Sequence, residues 1–270
     1  MTRPDIDRSS IEPEPQPLRT IQVDELLVQI YESPETVALA ANAIASQTLK
    51  TAIAKQGVAT AIFATGRSQI QFLNRLTQPT NPIDWSKIAG FHLDEYLGIA
   101  ASHPASFRQY LEKHLTSKVN LKQWHSLEGD GPLPINICRD YEKKLRQRPI
   151  DLCCLGIGNN GHLAFNDPSV ANFSDPDWVK IVRLDEQNRK QQATSSAFSN
   201  LDAVPQYALT LTITAIRAAR QNLCLAFGSN KAAIVKRVLT DSISPKCPAS
   251  VLREIPQTNL LIDRAAARSL

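Results

Sequence analysis

The chain has 270 residues, long enough to bury a full core as one α/β unit, and its 30 Lys and Arg against 26 Asp and Glu leave a net charge of +4. No run of basic residues interleaved with aromatics marks a nucleic-acid surface, and no stretch of roughly 18 apolar residues is present to span a bilayer. Five cysteines (Cys138, Cys153, Cys154, Cys224, Cys247) and five scattered histidines show no ligand spacing on a common face, so reduced, non-catalytic thiols and no metal are expected.

Residues 1–18 hold Pro4, Pro13, Pro15 and Pro17 among charges and predict a flexible lead-in, with the folded domain over 19–270. The start, Met1 to Asp5, lacks an apolar signal core, which makes the cytoplasm the expected location. Leu26–Tyr31 predicts a first strand. Ser33-Pro34-Glu35 then reads as an N-cap with proline at the first helical position, opening an alanine-rich helix that reaches about Lys55 and stops at Gly57. Strand 58–64, helix 68–77, strand 88–93, helices 105–116 and 138–147 and strand 150–156 follow. Beyond them come a strand near 179–184, a short helix 186–193, the alternating strand Ala208–Thr212 and helix 213–219. Strand 222–227, helix 230–239, a helical turn near 248–254 and strand 258–262 complete the chain. The alternation predicts a single-domain, mostly parallel twisted sheet with right-handed crossovers and helices on both faces, in a modified Rossmann-like arrangement.

Three strand ends carry candidate chemistry. The apolar run Ile150–Leu155 empties into Gly156-Ile157-Gly158-Asn159-Asn160-Gly161-His162, followed by Leu163-Ala164-Phe165-Asn166-Asp167-Pro168. Its glycines permit a tight turn and close approach to a ligand, and His162 moves a proton near neutral pH if a carboxylate such as Asp167 orients it. Glycines alone favour a plain strand-to-loop connection with a structural histidine. Against that reading stands a second segment, Phe91-His92-Leu93-Asp94-Glu95-Tyr96-Leu97-Gly98, in which paired carboxylates at a strand end repel each other unless solvent or function holds them. A third, Ala61-Ile62-Phe63-Ala64-Thr65-Gly66-Arg67-Ser68-Gln69, runs from strand through a turn into a helix and reads as a phosphate cradle of free backbone amides.

Together these segments, with the Gly228-Ser229-Asn230-Lys231-Ala232 turn and the Leu184-to-Arg189 stretch, resemble the glucosamine-6-phosphate deaminase branch of the sugar-phosphate isomerase family, whose other large branch is 6-phosphogluconolactonase. The resemblance runs from about Glu32 to the C-terminus. His162-Leu163-Ala164-Phe165 and Asp94-Glu95-Tyr96-Leu97-Gly98 favour the deaminases over the lactonases.

The resemblance implies a cofactor-free aldose-ketose isomerisation and deamination of glucosamine 6-phosphate to fructose 6-phosphate and ammonia. Asp94 matches the base that takes the proton from C2 and returns it to C1, and His162 the acid/base that opens the sugar ring. Asp167 stands at the family's acidic position, one methylene shorter than the usual glutamate, and Asn160 where several members have aspartate. Glu95 either tunes Asp94 or pairs with a basic residue. Phosphate is implied on the amides around Gly66 with Thr65 and Ser68, and on Arg189 and Lys231; Arg67 either adds a contact or points outward. The segment Ser169–Trp178 corresponds to an active-site lid on which Phe173 and Trp178 pack. It lacks the serine, arginine and lysine pattern of allosteric members, so allosteric control is not expected. The implied partner is a small amino-sugar phosphate, with no nucleic acid and no membrane, on a monomer or small homo-oligomer. Galactosamine-6-phosphate deaminase, 6-phosphogluconolactonase and a non-catalytic sugar-phosphate sensor remain as alternatives.

Overall fold

The computed structural model describes residues 15–195 and 198–270; residues 1–14, most of the expected lead-in, lie outside the described residues. An eight-stranded sheet runs in the order β1 (Arg19–Val23), β2 (Leu26–Tyr31), β11 (Thr258–Asp263), β10 (Asn222–Ala226), β7 (Leu152–Gly156), β3 (Ala59–Phe63), β4 (Ile88–His92) and β6 (Gln123–Trp124). Every pairing in it is parallel except β1 with β2. β3 and β10 are buried along their whole length, as strands covered on both faces must be. The helices are α1 (Pro34–Gln56), α2 (Arg67–Leu76), α3 (Phe107–Leu111), α4 (Pro134–Leu145), α5 (Glu186–Ser195), α6 (Ile213–Arg217) and α7 (Ala232–Thr240).

α1 begins as its sequence dictates. Ser33 is the N-cap of a capping box with Thr36, Pro34 occupies the first turn, and Gly57 ends the helix in the left-handed conformation at φ 79°.

The structure corrects several sequence-based expectations. The first strand is β1, not Leu26–Tyr31: it is a short edge strand whose Ile21 and Val23 alone reach the core, too weak an apolar signal to read. β6, of two residues, escaped for the same reason. The expected helix 105–116 is α3 followed by a π-helical turn over Glu112–Thr116, and α4 starts at Pro134, four residues earlier than expected, with proline in its first turn.

The main correction concerns strand 88–93. β4 ends at His92, and the chain then leaves the large sheet. Leu93 N still donates to Phe63 O (3.3 Å), but its carbonyl accepts from Leu211 N (2.8 Å). The next residues form β5 (Asp94–Tyr96) of a separate antiparallel sheet, ordered β5, β9 (Tyr207–Leu211), β8 (Val179–Arg183). A smaller core fills this sheet, with Tyr96, Phe165, Phe198 and Val204 among its members. The handover at Leu93 places the two adjacent carboxylates at the junction of the sheets.

Candidate active site

Four adjacent parallel strands, β10, β7, β3 and β4, end on the same side of the sheet. At a spacing of about 4.8 Å their ends span roughly 14 Å, the place where ligands bind open parallel sheets. Lys231 follows β10, the glycine loop with His162 follows β7, Thr65 to Ser68 follow β3 and Asp94 follows β4.

The glycine loop is built around the imidazole of His162. A Cβ at Gly158 would lie 2.2 Å from the ring's Cε1 and 2.3 Å from both nitrogens, so only glycine admits the ring there. Gly161, at φ 91°, lets the chain reverse while its carbonyl accepts from Ala249 N (2.7 Å). Asn160 braces the loop from both ends of its amide: Oδ1 accepts from His162 N (3.0 Å) and Nδ2 donates to Asp167 Oδ1 (2.8 Å). His162 Nδ1 lies 3.1 Å from the same oxygen of the fully buried Asp167, with the ring turned so that its N–H does not follow that line. Such misalignment is common before substrate closes a site. The structure therefore brings Asn160, His162 and Asp167 together, the amide supporting the carboxylate that faces the ring.

Asp94 is 7% exposed, and no hydrogen bond from the described residues reaches its carboxylate. Burial, and secondarily the charge of Glu95, hold its pKa well above the usual carboxylate range. Glu95 is fully buried and takes five hydrogen bonds: from the backbone N–H groups of Tyr96, Phe107 and Arg108, from Ser106 Oγ (2.6 Å) and from Arg108 Nε (3.3 Å). Its site is the N-terminus of α3. Glu95 thus both pairs with a basic residue and acts on Asp94.

The β3-to-α2 turn has Gly66 at φ 100° as the residue before α2, with no side chain capping the first amides of that helix. Tyr110 from α3 donates its hydroxyl to Gly66 O (2.8 Å), and Gln69 Nε2 donates to Ser68 Oγ (3.1 Å) and Leu155 O (3.1 Å). Arg67 is exposed. Lys231 Nζ donates to Ile157 O (2.8 Å) and Asn159 Oδ1 (2.7 Å), which straps the Gly228 turn to the glycine loop, and burial lowers the lysine pKa. Arg189 makes different contacts. Its guanidinium donates to Leu201 O and Val204 O, beside a cavity of about 480 Å³ lined also by Ser169, Arg183 and Gln206.

Phe173 and Trp178 pack against the main core as expected, and Trp178 lies under Arg146, the C-cap of α4, at 4.1 Å. Thr212 and Thr214 donate to the carbonyls of Asp177 and Asp175, and Trp178 N donates to Glu142 Oε2, so the end of the 169–178 segment is anchored. All five cysteines are free and buried. Among the described residues no group of three or more His, Cys, Asp or Glu is placed to hold a metal ion, and none of their helices is long and apolar enough to cross a membrane.

Sequence reasoning missed Gln69, Tyr110 and Thr210. The last pairs with Asp94 across β5 and β9 and accepts from Phe165 N (3.0 Å), tying the strand of Asp94 to the loop that follows His162. None of the three carries a local signal, since each acts on a segment distant in the chain.

The family model for glucosamine-6-phosphate isomerases/6-phosphogluconolactonase matches residues 32–261. The chain belongs to this family. The glucosamine-6-phosphate deaminase of Clostridium acetobutylicum is 33% identical over 247 residues, covering 90% of this chain and 99% of that protein. That of Leuconostoc citreum is 33% identical over 207 residues, 77% of this chain and 86% of that protein. Among solved structures, a monomeric glucosamine-6-phosphate deaminase superposes with a TM-score of 0.83 at 29% identity, covering 90% of this chain and 99% of that one. The 6-phosphogluconolactonase of Shewanella baltica, at 18% identity and a TM-score of 0.73 over 90% and 99% of the two chains, shares the fold.

Proposed function

We propose that this member of the family is a glucosamine-6-phosphate deaminase, converting its substrate to fructose 6-phosphate and ammonia. The observation that carries the reading is the placement of a buried carboxylate, a histidine facing a second carboxylate, and an uncapped helix start beside a lysine at the ends of four adjacent strands. Each answers one demand of the reaction. Ring opening moves a proton from the C1 hydroxyl to the ring oxygen, a task for an imidazole flanked by an acceptor. Isomerisation then takes the proton from C2, and a carboxylate without hydrogen-bonded partners is a stronger base for it than one already satisfied. Asp94 removes that proton and returns it to C1 of the enolamine, and water then adds to the resulting C2 iminium and expels ammonia as the ketose forms.

Phosphate rests on the amides of the β3-to-α2 turn with Thr65 and Ser68, and on Lys231, which retains an N–H beyond its two protein contacts. Arg189, at the mouth of its own cavity, approaches the ester when the neighbouring 169–178 segment closes as a lid. The solved relative described as monomeric supports a monomer for this chain as well.

Ammonia release from glucosamine and galactosamine 6-phosphates, with hydrolysis of 6-phosphogluconolactone in parallel, tests the reading. Turnover of the gluco epimer is expected. Preference for the galacto epimer, lactonase activity, or phosphate-dependent binding without turnover would each replace it by a different function.

A further inference from the structure

Gln69 is an unusual residue to find fully buried beside the β3-to-α2 turn. Its Nε2 donates to Leu155 O and to Ser68 Oγ, both at 3.1 Å, while its Oε1 is buried without a partner. The carbonyl of Leu155 can only accept, so the amide nitrogen must face it, and the same nitrogen therefore faces Ser68. For stability alone an apolar side chain of this size would serve better, because a buried acceptor left unpaired is costly.

What the arrangement achieves is the polarity of a hydroxyl. Ser68 Oγ carries one proton and two acceptor positions; once an N–H occupies an acceptor position, the proton turns away from Gln69 and remains free for another acceptor. Phosphate oxygens only accept. A Cβ on Gly156 would lie 3.3 Å from Ser68 Oγ, so a bare backbone at the end of β7 keeps this pair uncrowded.

We propose that Gln69 is a positioning residue for phosphate, holding Ser68 as a hydroxyl donor through the amide it also anchors on β7. The inference rests on the reading of the β3-to-α2 turn as the phosphate site.

The test compares Gln69→Met, which keeps the volume and removes the donor, with Gln69→Glu, which offers Ser68 an acceptor that captures its proton. Binding of inorganic phosphate is measured by calorimetry, and KM and kcat are measured with glucosamine 6-phosphate. Loss of one charge-assisted hydrogen bond weakens phosphate binding about tenfold, with KM rising more than kcat falls and Glu worse than Met. In a Ser68→Ala background the Gln69→Met change must cost less than twofold more, because the hydroxyl it acts through is gone. Phosphate affinity unchanged in Gln69→Met but weakened in Ser68→Ala overturns the role of Gln69 alone, as does an equal loss from Gln69→Met in both backgrounds. Affinity unchanged in Ser68→Ala overturns the role of Ser68 and of Gln69 with it, and affinity unchanged in Lys231→Ala as well overturns the phosphate site itself.

Discussion

Replacing Gly158 by alanine would place a methyl carbon 2.2 Å from Cε1 of His162 and 2.3 Å from both ring nitrogens. Carbon atoms settle at about 3.5 Å or more, so the ring must retreat by roughly 1.3 Å. The backbone raises no objection, since Gly158 is not among the glycines at positive φ. The side chain of His162 is 18% exposed and has room to swing, so the fold should survive with little loss of stability. Its proton-transfer geometry should not. A displacement of that size destroys the 3.1 Å approach of Nδ1 to Asp167, and misplacing a reacting group by about 1 Å costs on the order of 10²-fold in rate, or about 2.7 kcal/mol. Gly158→Ala is therefore expected to lower kcat for ammonia release about 100-fold while thermal melting shifts by only a few degrees. A Gly158→Ala enzyme with kcat within threefold of the parent would refute the argument, because the imidazole would then be free to work from a different position. Combining the change with His162→Gln gives an internal control, since the second loss should be nearly silent once the ring is absent.

Asp94→Asn should reduce kcat by about 10²- to 10⁴-fold and also raise stability at pH 8. A carboxyl whose folded pKa is raised is penalised as pH climbs from its unfolded value through its folded one, so the melting-temperature gap over the parent should close on acidification, and a variant less stable than the parent at pH 8 would contradict this. The same shift displaces the acid limb of kcat/KM above the ordinary carboxylate range; a limb near pH 4 in a pH-rate profile would remove Asp94 as the base. Lys231→Ala should raise KM by roughly tenfold or more, and an unchanged KM would reduce the lysine to a strap between loops. Substrate saturation should be hyperbolic and indifferent to N-acetylglucosamine 6-phosphate, because two cations against the 169–178 segment are already paired, Lys180 with Asp175 at 2.6 Å and Arg146 with Glu142 at 2.7 Å; a sigmoidal curve relieved by that compound would reveal an effector site.

The parallel core was legible because β3, β7 and β10 are short apolar runs separated by helical segments of the right length, a pattern that leaves few alternatives. The antiparallel sheet was not, because β5 has three residues continuous in sequence with β4, and only the bond from Leu211 N to Leu93 O shows where the chain changes sheets. The same division runs through the candidate site. Asp94, His162 and Lys231 stand in local motifs, with turn glycines or paired charges beside them. Gln69, Tyr110 and Thr210 act on Leu155, Gly66 and Phe165 across separations of 86, 44 and 45 residues, and no local pattern encodes such a contact. Gly158 lies between the two classes: its residue type was visible, but the imidazole that requires it was not.

The contrast between Asp94 and Glu95 shows how two adjacent carboxylates acquire opposite work. Successive residues of a strand point to opposite faces, so β5 sends one acid toward α3 and the other away from it. Glu95 meets the open amides at the start of α3, with Ser106 and Arg108 beside them, and so has the donors that an ionised buried carboxylate requires. Asp94 meets none, and burial is the first cause of its raised pKa and the charge of its neighbour the second. The donors gathered at the start of α3 are thereby taken up by Glu95. A buried carboxylate without donors holds its proton more readily than an exposed one, and on the proposed reading of Asp94 as the base that is what proton abstraction from carbon at neutral pH demands.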